Sequence, residues 1–97
     1  MIVLMVYYRV EMIIEKEKMM KTYDVRLCSV GNFESPLKWE ACNSFAECSR
    51  ACLIYIAAWD LRHENWTGGQ VQVDGCQVAR VSFNGRVWDM GENEIEI

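Results

Sequence analysis

The chain has one proline, one histidine and no internal repeat, and its six glycines are scattered. No stretch reads as a linker, and 97 residues are too few for two ordinary domains, so a single domain over 1–97 is expected. A basic excess is also missing. Ten Lys and Arg stand against 14 Asp and Glu, a net charge of −4. Nucleic-acid binders neutralise phosphates with clustered cations, so this balance argues against direct nucleic-acid contact. Long apolar runs are absent. The run Met1–Tyr8 is cut at Arg9 and Glu11, far short of the roughly 20 residues of a membrane helix. Neither a basic residue before it nor a small-residue cleavage site after it marks a signal peptide. The five cysteines, Cys28, Cys42, Cys48, Cys52 and Cys76, are odd in number and too sparse for a disulfide scaffold. A cytoplasmic protein with reduced thiols is expected. Catalytic signatures are lacking too: there is no Gly-rich phosphate loop, nucleophile elbow or metal triad. The sequence predicts no enzyme, no cofactor and no metal.

Hydrophobic residues make up 52% of the chain, enough for a folded body with a small core. Ile2–Val10 favours a strand and Glu11–Lys21 a short helix. Lys16-Glu17 can be encoded by AAGGAG, a ribosome-binding sequence ahead of Met19 or Met20, on which reading residues 1–20 are an N-terminal extension. Thr22–Val30 alternates, with Tyr23, Val25 and Leu27 on one face. Leu37–Cys42 alternates again, setting Leu37, Trp39 and Ala41 against Lys38, Glu40 and Cys42. With Gly31-Asn32 and Ser35-Pro36 between them, the two form an antiparallel hairpin. Trp39 and Trp59 read as core residues.

Ser44-Phe45-Ala46-Glu47 is a capping box. It opens the main helix, predicted over about 44–63, with Phe45, Cys48, Cys52, Tyr55, Ile56 and Trp59 as its core stripe. The cysteine spacings C-x5-C and C-x3-C do not match paired zinc ligands, so core packing is the expected role. His63 reads as a solvated group at the helix end. Gln70–Phe83 is strand-like but contains Asp74-Gly75. A two-residue turn there would put Val71, Val73, Cys76 and Val78 on the face of Arg80 and Ser82. Reading straight through, with Gly75 as a bulge, keeps Val71, Val73, Ala79, Val81 and Phe83 together and is the favoured reading. Asn84-Gly85 signals a two-residue hairpin pairing Phe83 with Arg86 and Val81 with Trp88. The fold class is α+β: an antiparallel β-sheet with one main helix packed on one face.

The acidic C-terminus stands out: Asp89, Glu92, Glu94 and Glu96 against Arg86 alone. If Glu92–Ile97 is extended, the three glutamates line one face at about 6.6 Å intervals, a ladder similar in pitch to a strand of phosphates. Asp60, Glu64 and Asp74 are expected to extend this negative region, and Trp66 to anchor a protein interface.

The strand KTYDVRLC, the partner LKWEACN, the helix opening SFAEC and the closing VARVSFNGRVWD together resemble phage-encoded anti-CRISPR proteins, in particular inhibitors of the type I-F surveillance complex. The likeness covers roughly Lys21–Asp89; the apolar N-terminal segment and the cysteine content depart from it. It implies a non-enzymatic inhibitor in the host bacterial cytoplasm. Such a protein would bind the basic DNA-binding surface of Cas proteins of a type I CRISPR complex, mimic DNA charge and block target DNA. It would be a monomer with no direct nucleic-acid or membrane contact. The partner-binding residues would be Asp89, Glu92, Glu94, Glu96, Asp60, Glu64, Asp74 and Trp66. The alternative is a small homodimerising structural or adaptor domain that uses the apolar strand Met1–Tyr8.

Overall fold

The computed structural model describes residues 22–97. The strand and helix expected over 2–21, the N-terminal extension and the Met1–Tyr8 dimer strand lie outside the described residues. Alternation in the first two segments produces β1 (Tyr23–Leu27) and β2 (Lys38–Cys42), antiparallel with Leu27 opposite Lys38 and Tyr23 opposite Cys42. The helix α1 follows at Phe45–Ala58, then β3 (Gln70–Val73), β4 (Cys76–Val81), β5 (Val87–Asp89) and β6 (Glu94–Ile95). The six antiparallel strands lie in the order β2-β1-β3-β4-β5-β6, and α1 packs on one face, chiefly over β1 and β2. The fold is α+β as expected. No helix among the described residues is long and apolar enough to cross a membrane.

The capping box forms. Ser44 Oγ accepts from Glu47 N at 3.1 Å, and Glu47 Oε2 reaches back to accept from Asn43 N at 2.7 Å, one residue before the cap. The inner stripe is Cys48, Cys52, Tyr55 and Ile56, all buried, with Phe45 and Trp59 half-buried at its ends. It meets Val25, Leu27, Val71, Ala79, Val81 and Val87 from the sheet. The helix ends at Ala58, not near His63. Asp60 adopts φ 49, Asp60 N donates to Ala57 O at 3.3 Å, and Leu61 N donates to Ile56 O at 2.9 Å. This is a Schellman stop with an aspartate at the left-handed position that glycine usually fills. Leu61 then folds back into the core. Asn32 Nδ2 donates to Trp59 O at 3.0 Å and Tyr55 Oη to Pro36 O at 2.7 Å, so the β1–β2 loop is tied to the helix C-terminus.

Two hairpins differ from expectation. Asp74 and Gly75 both have positive φ, 52 and 81, and form a tight turn with Val73 opposite Cys76. The straight reading fails because β4 contains a bulge: Val71 pairs with Ala79 but Gln72 with Gln77, leaving Val78 as the extra residue. That one residue rotates Ala79 and Val81 back to the helix side, so the turn and the apolar pattern coexist. In the next hairpin only Gly85 has positive φ (84), and the loop holds three residues, Phe83–Gly85. Val81 therefore faces Val87, and Arg80 faces Trp88. The shift buries Val87 and turns Trp88 to the open face. The loop is anchored by Ser49 Oγ, which donates to Gly85 O at 2.6 Å. Trp39 is not a core residue. It lies on the sheet edge, opposite Arg26 and away from the helix, and is 46% exposed.

Candidate functional site

The acidic segment is a turn followed by a very short strand. Asp89 Oδ1 accepts from Gly91 N and Asn93 N, both at 2.9 Å, while Asp89 N donates to Asn93 O at 2.8 Å. These bonds close residues 89–93 into a loop, with Glu92 at φ 65. Only Glu94–Ile95 is extended, so Glu92, Glu94 and Glu96 do not form a ladder on one strand face. The signal against a ladder was the run Asp89-Met90-Gly91-Glu92-Asn93, whose Asp, Gly and Asn are turn formers.

Charge in this region is partly compensated. Arg80 reaches Glu92 at 2.7 Å, and Arg86 reaches Glu94 at 3.6 Å. The register explains why. On the face away from α1, Gln70, Arg80, Trp88 and Glu94 lie side by side across four strands. The Arg80 guanidinium also sits 5.5 Å from the Trp88 ring centre, and Trp88 Nε1 donates to Ser82 Oγ at 3.2 Å. Glu96, Asp74, Asp60 and Glu64 are exposed and have no ion-pair partner among the described residues.

These groups do not make one patch. In an antiparallel sheet of this order, the β3–β4 turn with Asp74 and the β5–β6 turn with Asp89 and Glu92 share one end. Asp60 and Glu64 lie at the other end, where the helix C-terminus meets the β1–β2 loop and Asn65 O accepts from Val30 N at 2.9 Å. Trp66, expected as an interface anchor, is half-buried and bonded within the fold. Its Nε1 donates to Val81 O at 3.2 Å, and its ring lies 6.1 Å from Tyr55. It closes the gap between the sheet and the segment that leads into β3.

Burial favours the thiol form of three cysteines. Burial pushes Cys52 up to about 12 and raises Cys48 further, and Cys42 is also raised by burial. All three stay neutral thiols at physiological pH, poor as nucleophiles or metal ligands. No group of three or more His, Cys, Asp or Glu among the described residues is arranged to hold a metal. His63 lies edge-on to Phe83, 5.8 Å between centres. An open groove of about 330 Å³ runs past His63, Trp66, Gln70, Arg80 and Phe83 without enclosing a site. Comparisons with family models, curated proteins and solved structures find no match for this chain.

Proposed function

We propose that this chain is a non-catalytic binding protein whose acidic surface engages a positively charged partner, most narrowly an anti-CRISPR inhibitor that occupies the DNA-binding surface of a type I Cas complex. The observation that carries this reading is where the charge sits. Residues 22–97 contain 11 of the 14 acids but only six of the ten bases, so this part is more acidic than the whole chain. Opposite charge on a partner groove raises the association rate and favours that partner over neutral surfaces. The neutral thiols of Cys42, Cys48 and Cys52 favour binding over catalysis.

On this reading the acidic residues divide by role. Asp89 shapes the loop and Trp66 fills the core margin. Glu92 and Glu94 are shared with Arg80 and Arg86. The acids without an ion-pair partner among the described residues are Asp74 at one end of the sheet and, at the other, Asp60 and Glu64 by the helix end and Glu96 beside the β4–β5 loop.

The test uses the purified chain and a type I-F surveillance complex. Binding that competes with duplex DNA and weakens with added salt supports the reading. Binding unchanged when Glu92, Glu94 and Glu96 are all replaced by Gln removes the C-terminal acids from the mechanism. No binding to the complex, with or without DNA, refutes the narrow form.

A further inference from the structure

The two edges of the sheet are unlike. The β6 edge is two residues long, and Glu92, Glu94 and Glu96 surround it. Charges and shortness of this kind prevent strand addition. The β2 edge is five residues long, Lys38–Cys42, and its outer side has no neighbouring strand among the described residues. Lys38, Trp39, Glu40 and Ala41 are all exposed. Leu37, just before the strand, is 59% exposed, and Ile54, on the helix beside it, is 62% exposed. Beneath the edge a hollow of about 140 Å³ lies between Lys38 and Glu40 of β2 and Ala51, Ile54 and Ala58 of α1.

Charge order along β2 selects an occupant. In a two-fold antiparallel pair of identical strands, outward-facing backbone groups must meet outward-facing groups. Each residue then pairs with one of the same parity, and the two-fold axis falls on a residue. An axis on Lys38 sets lysine against lysine; an axis on Glu40 sets glutamate against glutamate. An axis on Ala41 leaves Leu37 beyond the paired stretch. An axis on Trp39 sets Lys38 of each copy opposite Glu40 of the other, twice, on the helix side. On the open side it sets Trp39 against Trp39 and Leu37 against Ala41, twice. Opposite charges and aromatic pairs directly across strands are the stabilising combinations.

We propose that β2 is a homodimer interface, pairing antiparallel with β2 of a second copy about Trp39 to make one twelve-stranded sheet with both helices on the same face. The contact is isologous, so it closes at two copies, and the acidic β6 edges stop further growth. This departs from the monomer expected from sequence and uses a different strand from Met1–Tyr8. It does not depend on the identity of any other partner.

Lys38 and Glu40 are exposed, so reversing them leaves the core intact. Sedimentation analysis of the full chain over a range of concentrations should show a monomer–dimer equilibrium. Lys38→Glu alone and Glu40→Lys alone each replace two attractive pairs by two repulsive ones, and each should weaken dimerisation roughly tenfold or more. The double variant Lys38→Glu/Glu40→Lys should regain it. Mixing the two single variants should produce a heterodimer, because glutamates on one copy then face lysines on the other. A wild-type chain that stays monomeric at several hundred micromolar overturns the proposal. So do single reversals that dimerise as well as wild type, a result that moves the association to another surface such as residues 2–10.

Discussion

Asp60 is held in a backbone conformation that suits glycine, at the negative end of α1, and replacing it should stabilise the fold. The residue has φ 49 and sits at the left-handed position of the helix stop, between Asp60 N→Ala57 O and Leu61 N→Ile56 O. A left-handed L-residue costs about 1–2 kcal/mol, with Asp toward the low end because its short side chain tolerates the region. The carboxylate at the negative end of the helix dipole costs about 0.3–1 kcal/mol more. Glycine removes both terms but adds about 0.4–1 kcal/mol of unfolded-state entropy. The net expectation for Asp60→Gly is a gain of about 1 kcal/mol, or roughly 4–8 °C in Tm for a domain of this size. Asp60→Asn removes only the charge and should gain about 0.5 kcal/mol. Asp60→Ala keeps the left-handed cost without the tolerance of Asp and should gain nothing. Thermal unfolding followed by far-UV circular dichroism ranks the four proteins. The order Gly, Asn, then Asp and Ala supports the reasoning; a Gly variant less stable than wild type refutes it.

Gly69 and Gly75 both have positive φ but differ in surroundings. A Cβ on Gly69 would lie 2.1 Å from Val81 O, whereas one on Gly75 meets nothing within 4 Å. Gly69→Ala should therefore lose more than about 3 kcal/mol and Gly75→Ala about 1–2 kcal/mol, measured by urea unfolding; equal losses would contradict the close approach. Ser49→Ala leaves Gly85 O without its buried donor and should cost about 1–3 kcal/mol in the same unfolding experiment, and an unchanged stability would refute the role of this bond. The thiols set an alkaline limit. Cys48 and Cys52 titrate higher in the folded chain than in the unfolded one, so above about pH 9 the unfolded state loses protons that the folded state keeps. Stability is full below that pH and falls toward pH 12, by up to about 1.4 kcal/mol per pH unit for each thiol. Cys52→Ala should lower stability at pH 7 by about 1 kcal/mol yet flatten this alkaline decline; an unchanged slope in urea titrations at rising pH would refute the assignment.

What could be read from the sequence follows from how local each signal is. The capping box at Ser44 and Glu47 and the alternation of Tyr23, Val25 and Leu27 act over a few residues, and both formed as expected. The helix end is not legible because the stop is an aspartate, with Gly68-Gly69 further on as a false terminus. The sequence disfavours an Asp74-Gly75 turn because a two-residue turn alone puts Arg80 on the core face. Val78 cancels that by bulging, and a bulge has no residue signature of its own. The Asn84-Gly85 register slipped by one because Asn84 does not take the left-handed conformation; its Oδ1 accepts from Ser82 Oγ and Arg86 N inside a longer loop. The misplacement of Trp39 has a different cause. Alternation identifies two faces but does not say that the strand is last in the sheet, where even apolar residues stay exposed.

The same limit applies to charge. A one-dimensional run of acids is not a surface until the partners across the sheet are known, and here Arg80 and Arg86 come from strands and loops that precede the run. Strand order decides what remains available. It puts the long edge, with its alternating Lys38 and Glu40, at β2 and the acidic, short edge at β6, five strand spacings or about 24 Å apart. In the β2-paired dimer the two acidic edges are therefore the outermost strands, and nothing in the pairing covers Glu96 or Asp74. Self-association and engagement of a basic partner then use opposite borders of the sheet and do not compete. If both occur, one dimer holds two acidic borders, and its partner binds with a stoichiometry of one per chain, unaffected by the Lys38→Glu reversal that separates the copies.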